Sequence, residues 1–267
     1  MEKKESETIK SKAQLVQWLE NQCKEKKKFK IGTEHEKFLF HEDTLMPLSY
    51  EEEFGIGAIL KKLSEDFKMK KILEKGKIIG LVDRNGGSIS LEPGGQFELS
   101  GAPLENLHQT CNETGQHLNL MQNVFSEMQA KIKMLGIGFH PFWRKEDIFW
   151  MPKGRYKIMK NYMPKKGNLG LDMMLRSSTV QVNLDFYNER DMVRKLRTSL
   201  ALQPISTALF ANSPFKDNNL TGYKSYRSYL WSDTDPDRCG IPECVFEEGF
   251  GFESWIDYIL EIPMYFI

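Results

Sequence analysis

The chain has 267 residues, and its 37 lysines and arginines are balanced by 37 aspartates and glutamates. That balance leaves no global field to draw it onto nucleic acid or an anionic membrane, and the length suits one large domain or two small ones. Apolar content is ample for a packed core, yet no apolar run reaches the roughly 18 residues of a membrane-crossing helix, so neither nucleic acid nor membrane is expected as a partner.

The opening Met1-Glu-Lys-Lys-Glu-Ser-Glu7 is charged and lacks an apolar signal core, which predicts a cytoplasmic home. Helical spacing of Leu15, Leu19 and Cys23 predicts a helix over 11–26, capped by Ser11. Residues 29–40 read as a long strand. Residues 48–67 read as a helix with Phe54, Ile56, Ile59, Leu60 and Leu63 on its apolar face. A strand over 78–82 leads into the turn Asp83-Arg-Asn-Gly-Gly87, and 88–99 form two strands about Pro93-Gly94-Gly95. A long amphipathic helix is predicted over 103–134, with Leu104, Leu107, Cys111, Leu118, Met121, Phe125 and Met128 at core spacing.

A short strand over 136–141 should lead into a loop. Residues 151–156 form a loop that opens a short helix towards Tyr162, and 163–170 a basic loop. Over 178–186, Val180, Val182 and Leu184 face one side while Gln181, Asn183 and Asp185 face the other, the pattern of a half-buried strand. A helix over 189–212 should bury Leu196, Leu200, Ile205 and Leu209. Residues 223–231 and 244–246 are short and ambiguous, and 252–260 form a last helix. Interleaved helices with hairpin signals predict an α+β fold rather than a doubly wound sheet. The apolar run Glu261-Ile-Pro-Met-Tyr-Phe-Ile267 reads as a chain cut within its fold or completed by another segment.

Four acids suggest chemistry. Glu34 and Glu36 are two apart on a strand and so share a face. Glu92 and Glu98 flank the two-glycine turn. Carboxylate oxygens suit hard cations such as magnesium or manganese. A solvated edge strand would carry the same letters, but Ile31, Phe38 and Phe40 point to a buried strand, where unpaired acids are costly. The polar face of Gln181, Asn183 and Asp185 could complete a metal shell, contact a phosphate or simply face solvent. His35 should lie on the opposite face, as a structural histidine. Arg155 and Arg227 stand in loops beside aromatics, and the guanidinium fork matches carboxylate or phosphate. Trp231-Ser-Asp-Thr-Asp-Pro-Asp-Arg238 lacks the EF-hand register and reads as a surface or lid loop. No Walker loop, dinucleotide fingerprint or nucleophile elbow is present. Cys23, Cys111, Cys239 and Cys244 lack zinc-finger spacing and read as reduced thiols, with a redox-sensitive pair as the other reading.

Several stretches together resemble the plant and proteobacterial type of glutamate–cysteine ligase. They are Ile31-Gly-Thr-Glu-His-Glu-Lys-Phe38, Leu91-Glu-Pro-Gly-Gly-Gln-Phe-Glu-Leu-Ser-Gly-Ala-Pro103, Met151-Pro-Lys-Gly-Arg-Tyr156, Val180-Gln-Val-Asn-Leu-Asp-Phe186 and Ala208-Leu-Phe-Ala-Asn-Ser-Pro214. The resemblance runs from about Phe29 to Phe266. It implies a glutamine-synthetase-like carboxylate–amine ligase fold, with a curved, mostly antiparallel sheet flanked by helices. It implies one catalytic domain, with a tail and helix over 1–28 and the ligase core over 29–267. The implied reaction is ATP-dependent ligation of L-glutamate, through its γ-carboxylate, to L-cysteine, the first step of glutathione synthesis. By the same resemblance Glu34, Glu36, Glu92 and Glu98 would hold magnesium or manganese. Arg155 and Arg227 would be catalytic anchors. Gln181, Asn183, Arg155, Tyr156, Arg227 and Trp231 would bind substrate or nucleotide. Family members continue beyond the position of Ile267, so a fragment that only binds ligand is an alternative, as is a related ligase with another amine; a homodimer is left open.

Overall fold

A computed structural model describes residues 8–264. The charged N-terminal run and the last three residues of the apolar C-terminal run lie outside the described residues. In chain order the elements are α1 (Lys12–Asn21), β1 (Ile31–His41), α2 (Ile56–Asp66), β2 (Lys70–Glu74), β3 (Lys77–Val82), β4 (Ser88–Leu91), β5 (Phe97–Ser100), α3 (Leu107–Glu127) and β6 (Ile132–Leu135). There follow α4 (Gly154–Tyr162), α5 (Gly170–Arg176), β7 (Val180–Leu184), α6 (Glu189–Leu209), the short pair β8 (Phe215–Lys216) and β9 (Asn219–Leu220), α7 (Tyr226–Trp231) and α8 (Phe252–Glu261).

The chain folds into two compact units. The first gathers the described part of Met1–Phe29 with Asp185–Pro204 and Ile241–Met264. Within it Lys12 pairs with Asp257 at 2.7 Å, and Arg197 donates to the carbonyls of Val245 (2.6 Å) and Glu247 (2.7 Å). Glu189 accepts from the Phe252 backbone N–H at 2.6 Å, placing a carboxylate at the N-terminus of α8, where the helix dipole favours it.

The second unit takes in Lys30–Leu184 and Ile205–Gly240. Its sheet runs β2-β3-β4-β5-β1, every pair antiparallel. On its other edge β1 pairs with β7 from Ile31 to His35 and with β6 from Phe38 to His41. The fold is therefore α+β with an open antiparallel sheet and helices against it. Ile59, Leu60 and Leu63 of α2 are fully buried, as are Leu81, Leu91, Met121 and Val124. Burying such a row stabilises by roughly 1.5–3 kcal/mol per large side chain before entropy is counted.

Several predicted boundaries shift for local reasons. Helix α2 starts at Ile56, not residue 48. Glu52 accepts from the Ser49 N–H at 2.7 Å and its own N–H donates to Ser49 Oγ at 3.2 Å, so the preceding segment is tied as a loop. Helix α3 starts after Asn106, whose side chain accepts from the Gln109 N–H at 3.1 Å. It ends at Glu127; Gln129 turns the chain with φ +52°, and residues 132–135 leave as β6. The strand expected over 136–141 is accordingly absent, save for a bridge between Phe139 and Ser177. On α3, Met121 and Phe125 are buried as predicted, but Leu107 is 71% exposed and Cys111 also faces out, while Thr110 and His117 are inside.

The largest departures concern β7 and α6. The predicted half-buried strand is exposed at all five positions of β7. Ile205 and Leu209 of α6, predicted inside, are 55% and 73% exposed. Strand β2, a Lys-Lys-Ile-Leu-Glu run, was not foreseen, because an outer strand open to solvent needs no alternation. Helix α5 was also unread. It seats the buried Arg176 between Asp172 (2.9 Å) and Asp217 (2.7 Å).

Candidate active site

Pairing between β1 and its neighbours places the acids. Glu36 lies opposite Glu98 of β5, and Glu34 lies between Ser100 of β5 and Gln181 of β7. Opposed residues share a face. The same face therefore carries Glu34, Glu36, Glu98 and Gln181. His35 points the other way, where its Nε2 is 3.4 Å from Thr114 Oγ1 on α3.

The turn between β4 and β5 brings in Glu92. Its N–H donates to the Gln96 carbonyl, and the Gly95 N–H donates to the Glu92 carbonyl, both at 2.9 Å. Gly95 sits at φ +83°, a conformation that suits glycine. A Cβ on Gly94 would stand 2.5 Å from the Leu175 carbonyl oxygen, so the turn is pressed against the end of α5. Gln96 fastens it there. Its amide donates to the carbonyls of Met174 (3.1 Å) and Ser177 (2.7 Å), and its oxygen accepts from the Gly94 N–H (2.9 Å). Gln96→Leu would strand these buried groups, and the expected loss is about 2–4 kcal/mol, read as a lower urea midpoint with unchanged slope.

A cleft of about 360 Å³ opens above these elements, lined by Glu36, Glu92, Gln96, Arg155, Tyr156, Thr179, Gln181, Arg227, Trp231 and the apolar Met159 and Met173. Of the residues singled out from sequence, Glu36, Glu92, Arg155, Tyr156, Gln181, Arg227 and Trp231 meet here. Glu98 stands beside Glu36 in the sheet, buried, and accepts a hydrogen bond from Ser100 Oγ. Glu34 and Asn183 do not line the cleft. They bond each other, with Asn183 Nδ2 donating to Glu34 Oε1 at 2.9 Å. Asp185 lies beyond β7 and pairs with Lys24 at 2.6 Å.

Electrostatics mark the acids as under-compensated. Burial, then repulsion from Glu92 and Glu98, pushes the Glu36 carboxyl up to about 8, although Arg227 and the Thr179 N–H (3.1 Å) partly offset this. Burial and then Glu98 push Glu92 up to about 7 against Lys153 and Arg155, whose Nη2 is 3.9 Å from Glu92. Arg227 is itself disfavoured as a cation by burial, with Glu36 in partial compensation, and its Nε has no hydrogen-bond partner. Tyr156 is raised, first by burial and then by Glu92; its hydroxyl donates to the Leu91 carbonyl at 2.6 Å.

These shifts have a stability consequence with a definite sign. An acid raised from 4.5 in the unfolded chain to about 8 or about 7 holds its proton more tightly when folded, so the stability it contributes is lost as pH rises through that range. Burial lowers His117 from 6.5 to about 4 and His140 from 6.5 to about 3, and their contribution is present above 6.5 and lost at lower pH. Below 6.5 the two effects oppose. Between 6.5 and about 8 the acids act without that opposition, so the urea midpoint of the cation-free chain should fall across this window. Glu36→Gln should flatten the fall.

Two site residues escaped the sequence reading. Lys153 belongs to the motif Met151–Tyr156, whose sequence reads as a loop. It precedes α4, its Nζ donates to the Leu91 carbonyl at 2.6 Å, and its charge lowers Glu92. Thr179 acts through its backbone N–H, which no side-chain pattern reports.

Hard oxygen donors that repel one another in a cleft fit a divalent cation, since a cation relieves that repulsion. Among the described residues no group of three or more His, Cys, Asp or Glu stands ready as a coordination shell. Glu36 and Glu92, with Glu98 beside them, are the residues whose chemistry suits it.

The family profile described as glutamate-cysteine ligase family 2 (GCS2) matches residues 30–267. The chain belongs to this family. It is 58% identical over 252 residues to the protein named glutamate–cysteine ligase, chloroplastic, of Brassica juncea, covering 94% of this chain and 48% of that protein. The Arabidopsis thaliana relative of the same name is also 58% identical, over 94% of this chain and 47% of its own length. Glutamate–cysteine ligase A, chloroplastic, of Oryza sativa subsp. japonica is 58% identical over 257 residues, covering 96% of this chain and 51% of that protein. The chain thus spans about half the length of the curated relatives it matches. Their chloroplast names overturn the expectation of a cytoplasmic home. No helix among the described residues is long and apolar enough to cross a membrane.

Proposed function

We propose that this GCS2-family chain carries the cation- and phosphate-handling wall of a glutamate–cysteine ligase site. The reaction is the ATP-dependent joining of the glutamate γ-carboxylate to the cysteine amine, in a plastid setting that the relatives' names support. The observation that carries the reading is the pair Glu36 and Glu92, held under repulsion in one cleft with Arg155 and Arg227.

Glu36 and Glu92, with Glu98 beside them, would hold magnesium or manganese, which when bound would neutralise phosphate charge on ATP. The γ-phosphoryl group passes to a glutamate γ-carboxylate oxygen, and ADP leaves. The cysteine nitrogen then attacks the acyl carbon of the γ-glutamyl phosphate, the C–O bond to phosphate breaks, and the amine proton goes to water. No protein nucleophile is needed. Arg227 and Arg155 offset charge on the transferring group or dock the glutamate α-carboxylate. Each is restrained by an aromatic ring, Arg155 at 5.2 Å from the Tyr156 centroid and Arg227 at 5.8 Å from that of Trp231. Gln181 offers an amide to the same cleft.

The test is ADP release by this chain joined to the unmatched portion of the Brassica juncea relative. Release should require both glutamate and cysteine. Release that ignores both amino acids contradicts the proposal, and release as fast with another amine makes the chain a related ligase.

A further inference from the structure

Strand β7 is the least protected element of the sheet. One edge pairs with β1, and among the described residues the other edge pairs with nothing. On the face away from the cleft, Val180, Val182 and Leu184 are 65%, 55% and 57% exposed. In the same unit the end of α6 is equally bare, with Leu209 73% and Phe210 78% exposed beside it. An open strand edge with an apolar row is a template for another strand: backbone groups pair along the edge while alternate side chains are covered.

We infer that the free edge of β7 docks a further polypeptide strand, apolar on one face and polar on the other. Its source is the stretch corresponding to the half of the relatives' length that this chain does not match. That commitment rests on length and likeness. Relatives 56–58% identical across this whole region are about twice as long, so the same strand sits there in a polypeptide with roughly as much chain again. The docked strand also borders the cleft. Gln181 faces the cleft from β7, so the neighbouring strand's polar face becomes the next element of that wall. This second consequence rests on the cleft being the site proposed above; the docking does not.

Hydrogen exchange tests it on three samples: the 267-residue chain alone, the chain mixed with the separately produced unmatched portion of the Brassica juncea relative, and the two joined in one polypeptide. Amide exchange over residues 180–184 should slow by roughly 100-fold or more in the joined protein, while β3 and β4 change little. In the mixture, Val182→Lys, an exposed position that the fold tolerates, should weaken association at least about ten-fold. Unchanged exchange over 180–184 in the joined protein overturns the inference. So does protection that grows with concentration of the chain alone and accompanies a doubled mass, because the occupant is then a second copy. Protected β7 without ADP release counts against the proposed activity and leaves docking standing. ADP release with β7 still open counts against docking.

Discussion

Glu92→Gln is expected to lower turnover in the ADP-release assay by at least about three orders of magnitude at limiting magnesium, in line with losing several kcal/mol of cation stabilisation. The side chain keeps its volume and loses its charge. In the cleft Glu92 is raised to about 7 because burial and Glu98 disfavour its anion, so a cation gains most where that repulsion is relieved. Glutamine offers no such gain. The turn should hold its shape, since it is fixed by backbone bonds and by Gln96 rather than by the Glu92 side chain. Saturating magnesium should recover part of the rate. Wild-type turnover of Glu92→Gln at limiting magnesium would remove this residue from the cation site.

Arg227→Met should lower kcat/KM by about 100- to 1,000-fold, the scale of losing one aimed charge at a transferring group. Two causes add. The arginine's Nε is buried and unpartnered, a donor left for a ligand. Its charge also restrains the rise at Glu36, so methionine in its place leaves that acid holding its proton still more tightly. The pH range over which cation affinity climbs should therefore move upward in the variant, a change that lost packing would not produce. Arg227→Lys should restore much of that pH dependence and little of kcat/KM, because a point charge lacks the guanidinium fork. Equal recovery of both would show that charge alone matters.

Much of the site was legible because strand geometry is simple. The two-residue spacing of Glu34 and Glu36 put both on one face, and the glycine pair fixed the turn that carries Glu92. The sequence also placed His35 on the far face, where it meets Thr114. Tertiary partners set what was not legible. Glu34 and Asn183 share the acid face, yet they satisfy each other rather than the cleft. Ile132 to Leu135 continue an apolar pattern that reads as helix until Gln129 reverses the chain and β1 offers an edge. Ile205 and Leu209 have helical core spacing, but spacing cannot say whether anything lies opposite. The apolar row of β7 is the same case: alternation predicts a covered face, and Val180, Val182 and Leu184 stand bare.

Manganese binding to the 267-residue chain between about pH 6 and about pH 9 probes the proposed cation site of Glu36 and Glu92, since ligands must lose protons to bind metal. Affinity should climb with pH until Glu36, at about 8, has ionised, with proton release on binding and loss of both effects in Glu36→Gln. Affinity that is flat with pH and unchanged in Glu36→Gln would contradict it.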